Sequence, residues 1–240
     1  MTAISRRPDS GPVLVVHADE SSWIQAIVGD ATAAIGLDLE RKGHARALLS
    51  GGATPAPVYR ALAQVELDWA KVKLALVDER WLSPENTASN GRLVRDNFLV
   101  GPAAAAHFEP MLVAGQTRDQ AVQAANRSAT EASVAFLGMG PDGHTASLFP
   151  RMRGLRSALE SPDDYVSVDA DDIACAAPWW QRISLTPAGL ARVRLRLLLI
   201  RGEQKRALLV DALAGSDLLE FPVRAALFWP GASTRIHWCP

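Results

Sequence analysis

The stretch FLGMGPDGHTASLFP, residues 136–150, decides how this chain is read. Gly138, Gly140 and Gly143 match G-x-G-x-x-G directly after an apolar run. A dinucleotide-binding turn needs a helix after the third glycine and, about 20 positions on, an acidic residue ending the next strand. Asp163 stands at that distance, but Asp163 and Asp164 precede the next β-rich run instead of ending it. Pro150 also stops any helix soon after Gly143. His144, a titratable side chain, occupies the place where the pyrophosphate turn would lie. The stretch therefore reads as a strand over 134–137 feeding a tight loop built around Asp142 and His144. A histidine suits general-base work near neutral pH, and an adjacent aspartate can fix its orientation.

Outward from this loop, short β-rich runs alternate with helical patterns. Strands are expected over 13–17, 46–49, 72–77, 166–168, 183–185, 193–200 and 235–238. Helices are expected over 21–41, from Pro55 onward, after Ser89, over 116–131 and over 203–213. Nearly continuous apolar strands between helices predict an α/β fold: a Rossmann-like, mostly parallel sheet with helices on both faces and additional small strands near the C-terminal half. The alanine run at 103–106 reads as helix or loop filler, and Trp179 and Trp180 as core, with the edge of a pocket as the alternative.

With 240 residues, one domain over 1–240 is expected, residues 1–10 forming a flexible N-terminal arm. Apolar residues make up 48 % and charged residues 21 %, enough for a sizeable core. Twenty-five basic and 26 acidic residues give a formal net charge of −1, so nothing calls for nucleic acid or an anionic membrane as partner. Cys175 and Cys239 form no C-x-x-C pair, which fits a reducing compartment. Arg6-Arg7 is followed by a Pro- and Gly-bearing segment instead of the apolar stretch of a signal peptide, so a cytoplasmic setting is expected.

In open parallel sheets ligands bind beyond the carboxyl ends of the strands. Two further strand ends are unusual. Ser50-Gly51-Gly52-Ala53-Thr54 exposes backbone N–H groups before a helix, which suits a phosphate, with Ser50 and Thr54 as hydroxyl donors. Asp78-Glu79-Arg80 closes another strand. Arg80 suits forked pairing with a phosphate, and either acid could hold it or take part in acid–base work. No H-E-x-x-H or other ligand spacing appears, so no metal is indicated. His17, His44, His107 and His237 read as structural or exposed.

SGGATP at 50–55, VDER at 77–80, SN at 89–90, GMGPDGHTASLFP at 138–150, RISLT at 182–186 and LLLIRGEQK at 197–205 follow in order. Together they resemble the 6-phosphogluconolactonase family, within a superfamily that includes glucosamine-6-phosphate deaminases. The resemblance implies hydrolysis of 6-phospho-D-glucono-1,5-lactone in the oxidative pentose phosphate pathway, without cofactor and with a small sugar phosphate as partner. It implies that His144 activates water and Asp142 orients it, with Asp78 arranging the pocket. Ser50, Gly51, Gly52 and Thr54 would line the 6-phosphate site, Arg80 and Lys205 would supply charge, and Arg182 would contact substrate. The deaminases carry an acidic residue five positions after the loop histidine. Here that position is Phe149, which favours the lactonase. Pro141 stands where the family loop usually has an acid, and Arg151 where a glycine often stands. A deaminase or isomerase on the same fold, and a non-catalytic sugar-phosphate sensor, are the alternatives. The sequence leaves the oligomeric state open.

Overall fold

The computed structural model describes residues 11–240; the arm expected over residues 1–10 lies outside the described residues. The chain runs β1 (Val13–Val16), α1 (Glu20–Lys42), β2 (Ala45–Leu49), α2 (Ala56–Leu62), β3 (Val72–Leu76), β4 (Asp78–Arg80), α3 (Asn90–Asn97), β5 (His107–Phe108), α4 (Arg118–Ser128) and β6 (Ala132–Gly138). It continues with α5 (Leu155–Leu159), β7 (Tyr165–Asp169), β8 (Gln181–Leu185), α6 (Pro187–Ala191), β9 (Val193–Arg201), α7 (Glu203–Ala214), α8 (Val223–Phe228) and β10 (Ser233–Cys239).

Seven strands form one parallel sheet in the order β1-β10-β9-β6-β2-β3-β5. Every residue of β2, and every residue of β6 but its last, is buried. Successive strand side chains point to opposite faces, so both faces of the sheet centre are covered. α1 supplies part of that cover by packing on β2, β6, β10 and α2. Its N-terminus is fixed by Asp19, whose carboxylate accepts from Ser22 N at 2.7 Å, and it ends at Gly43 with φ 72°. Trp23, Ile27, Ala31, Ala34 and Ile35 form its buried stripe. The buried side chains make one contiguous cluster from Trp23 to Cys239.

The three-residue run after β3 does more than close a strand. At Asp78 the chain leaves the large sheet and pairs antiparallel with β8, which pairs in turn with β7, giving a second sheet ordered β4-β8-β7. The strands expected at 166–168 and 183–185 belong here. Two further differences have local causes. α4 is shorter than the expected 116–131, because Thr117 and Gln120 form a capping box and β6 already starts at Ala132. α5 and α8, of five and six residues, are too brief to show a helical period. The alanine run falls in a 3₁₀ turn over Gly101–Ala105.

Trp179 and Trp180 are not core. Trp179 is half-buried and Trp180 is 44 % exposed. With Trp81 they line a surface groove of about 1290 Å³ along β7 and α5. The segment between β7 and β8 turns its carbonyls toward Arg182 and leaves both indoles at the rim. Among the described residues no helix is long and apolar enough to cross a membrane.

Candidate active site

The carboxyl ends of β2, β6 and β9 meet β4 and β8 around a cleft of about 280 Å³. Ser50, Gly51, Gly52, Thr54, Asp78, Arg80, His144, Arg182 and Lys205 all line it, and Asp142 stands behind His144. The residues singled out from the sequence are thus brought to one place.

The 138–150 loop uses its glycines to hold a side chain, not a dinucleotide. A Cβ on Gly140 would fall on the His144 ring, and one on Gly143, whose φ is 84°, would meet Phe221. Gly140 N donates to His144 O at 2.9 Å, and the Thr145 hydroxyl donates to Gly138 O at 2.9 Å, closing the loop. The first helix beyond it, α5, begins only at Leu155. Gly140→Ala is expected to push the imidazole aside and lower kcat by about tenfold, the scale of a roughly 1.4 kcal/mol misplacement. Steady-state kinetics on the folded variant check this, and an unchanged kcat would refute it.

His144 Nδ1 lies 2.6 Å from Asp142 Oδ1, and His144 N also donates to that oxygen at 3.2 Å. Burial opposes the charged form of Asp142, yet the hydrogen bonds and charge interaction with His144 outweigh it and hold its pKa down at about 2. An ionised Asp142 can only accept, so Nδ1 carries a proton, and in the neutral form of the ring the lone pair is on Nε2. The Cys175 thiol donates to the other Asp142 oxygen at 3.4 Å. Asp142, His144 and Cys175 bring three donor atoms within 4.8 Å of one another, a set able to take a soft divalent ion, although a shared proton already joins two of them. The Phe149 ring packs 4.4 Å from the His144 ring and under the Arg182 guanidinium at 5.1 Å. The position that is acidic in the deaminases is thus an apolar wall. Arg151 has φ 62°, where related loops favour glycine, and Ala146 in the same loop has φ 50°.

The opposite part of the cleft is cationic. Among the described residues the N–H groups of Gly51, Gly52, Ala53 and Thr54 find no protein acceptor. Gly52 takes φ 93° to make the turn. α2 behind it has only seven residues, so the free N–H groups and nearby cations matter more than a long helix dipole. Lys205, in the first turn of α7, has its pKa lowered by burial and no carboxylate partner among the described residues. Arg182 donates to Trp179 O at 2.8 Å and Ala176 O at 3.0 Å. Arg80 donates through Nη1 to Ala88 O at 2.8 Å and Asn90 Oδ1 at 2.7 Å.

Of the two acids beside Arg80, Glu79 is structural. Its oxygens accept from Ser89 Oγ and from the N–H groups of Arg80, Asn90 and Gly91, capping α3. Asp78 faces the cleft, and its oxygens accept from Ser147 Oγ at 2.6 Å and Asn90 Nδ2 at 3.2 Å. Asn90 and Ser147 are the residues sequence reasoning passed over: small polar side chains give no charge pattern, and only their place in the SN and HTAS segments hints at them.

An imidazole held by a carboxylate, at the carboxyl edge of a parallel sheet and beside unpaired N–H groups and cationic side chains, is an arrangement suited to an α/β enzyme. The chain belongs to the family described as glucosamine-6-phosphate isomerases/6-phosphogluconolactonase, whose family model matches residues 18–238. It is 43 % identical over 234 residues to a 6-phosphogluconolactonase of Xylella fastidiosa strain Temecula1, covering 96 % of this chain and 98 % of that protein. It is 36 % identical to one from Rhizobium meliloti strain 1021, covering 94 % and 97 %. A solved 6-phosphogluconolactonase from Shewanella baltica OS155 superposes with a TM-score of 0.89 at 28 % identity, over 98 % of this chain and all of that one.

Proposed function

We propose that the chain hydrolyses 6-phospho-D-glucono-1,5-lactone to 6-phosphogluconate, a step of the oxidative pentose phosphate pathway. The observation that carries this reading is the Asp142–His144 pair in the same cleft as Arg80, Arg182, Lys205 and the open N–H groups of the 50–54 turn. A lactone is an activated ester, so ring opening needs no covalent intermediate. His144 Nε2 takes a proton from water, and the hydroxide attacks the lactone carbonyl carbon. The tetrahedral intermediate expels the ring oxygen, which takes the proton back from the imidazolium. Asp142 holds the tautomer and stabilises that imidazolium. The 6-phosphate, bound by Arg80, Lys205 and the 50–54 turn, is a remote handle that fixes the carbonyl against the base.

Hydrolysis of freshly generated lactone, followed against its spontaneous opening, tests the reading directly; a rate no faster than the spontaneous one rejects it. Ammonia release from glucosamine 6-phosphate is the matching assay for a deaminase, which Phe149 in place of an acid disfavours. Lys205→Ala is expected to raise KM by roughly 10- to 100-fold with a smaller change in kcat, because a charged hydrogen bond of about 1.5–3 kcal/mol to a non-reacting group is lost. A fall confined to kcat would move Lys205 from the phosphate to the reacting carbonyl. A cytoplasmic setting belongs to the same reading: Cys175 and Cys239 are both free thiols.

A further inference from the structure

Asn90 is 2 % exposed at the first position of α3, and a buried carboxamide is stable only with its polar atoms matched. Here they are matched in one sense only. The amide nitrogen donates to Asp78 O at 2.8 Å and to Asp78 Oδ1 at 3.2 Å, while the amide oxygen accepts from Arg80 Nη1 at 2.7 Å. A flipped amide would set oxygen against oxygen and nitrogen against nitrogen, so the group is oriented. Gly51 presses on its other side: a Cβ there would fall on Asn90 Oδ1 and Cγ. One side chain therefore touches the anion-binding turn, a cation and the carboxylate that reaches the histidine loop through Ser147.

Arg80 depends on this contact. Its Nε is buried without a partner, and among the described residues its side chain donates to Ala88 O and Asn90 Oδ1, both from Nη1. Ala88 O restrains one end of the guanidinium, and Asn90 fixes its rotation about that end. We propose that Asn90 is the positioning residue of the phosphate-binding part of the cleft, aiming Arg80 at the anion and setting how closely the Gly51 turn approaches it. This rests on the reading that Arg80 meets the 6-phosphate.

The test compares 6-phosphoglucono-1,5-lactone with glucono-1,5-lactone, which lacks the phosphate, in wild type, Asn90→Ala, Asn90→Asp, Arg80→Ala and the Arg80→Ala/Asn90→Ala double variant. Asn90→Ala is expected to raise KM for the phosphorylated lactone about tenfold with a smaller change in kcat, and to lower kcat/KM for the unphosphorylated lactone by much less than for the phosphorylated one. Asn90→Asp is expected to be worse, since its carboxylate pairs with Arg80 and repels the phosphate. In the Arg80→Ala background the Asn90 substitution should add little, because both changes remove one interaction. Equal losses on the two lactones, or effects of Asn90→Ala and Arg80→Ala that multiply, would overturn the proposal. Should Asn90→Ala fail to fold, Gly51→Ala pushes the same amide from the other side and must give the same KM-selective loss. If the wild type does not accelerate hydrolysis at all, the hydrolytic reading falls alone. Positioning is then read from the rise in melting temperature given by inorganic phosphate, which must shrink alike in Asn90→Ala, Arg80→Ala and the double variant.

Discussion

His144→Ala is expected to lower kcat by about 10²–10⁴-fold, the usual contribution of a positioned base, while KM and melting temperature hardly move. Among the described residues the side chain's only hydrogen-bonding contact is with Asp142, and the ring is partly open to the cleft, so truncation opens little buried volume. Asp142→Asn should cause a smaller loss in the same direction, because a neutral amide no longer dictates which imidazole nitrogen carries the proton. Full activity in a folded His144→Ala protein would remove the base from the mechanism. A loss confined to KM would turn the imidazole into a binding group.

The second large effect concerns acid. His237 on β10 is buried, its Nδ1 3.0 Å from His17 Nε2 and its Nε2 3.1 Å from Asp30 of α1, which also pairs with Arg235. Asp19 lies near His17 as well, and the two imidazoles stack with centroids 5.2 Å apart. Burial lowers the pKa of His237 from 6.5 to about 4 despite Asp30, and burial lowers that of His17 too. The fold therefore prefers neutral His237, whereas the unfolded chain takes up the proton near pH 6.5. Stability from this group is complete above pH 6.5 and falls as the pH drops toward 4, at about 1.4 kcal/mol per pH unit and about 3 kcal/mol in all. Denaturant unfolding between pH 6.5 and 5, above most carboxylate titrations, should show that slope in wild type and a flatter one in His237→Gln. Equal slopes would dismiss the pair as the cause.

Much of this molecule could be read from residues because strand runs and helix stripes carry their periods openly. β2 is buried along its whole length and stands out as an apolar run, and Ser89 announces α3 as the cap that accepts from Arg92 N. Pro150 settled the G-x-G-x-x-G question, and Gly140 shows the physical reason: the space a Cβ would fill is taken by imidazole. What stayed hidden depends on tertiary partners. Asp78, Glu79 and Arg80 have no strand period, and β4 exists because β8 lies beside it. Trp179 and Trp180 are as apolar as core residues, and only the course of the 170–180 segment keeps them at a groove. Asn90 and Ser147 reach Asp78 across 12 and 69 positions of sequence, and no local pattern encodes such contacts.

The small sheet sets Arg80 directly opposite Arg182 across the β4–β8 ladder, and neither has an ion-pair partner among the described residues. Two like charges so placed repel, and the Arg80 charge contributes to lowering the pKa of Arg182 after burial itself. Any small dianion relieves that repulsion. On the proposed reading the choice of buffer is part of the experiment: phosphate or sulfate is expected to steady the folded protein and compete with its substrate, whereas a zwitterionic buffer is expected to do neither. On that reading, a rate measured in phosphate describes an enzyme already partly occupied.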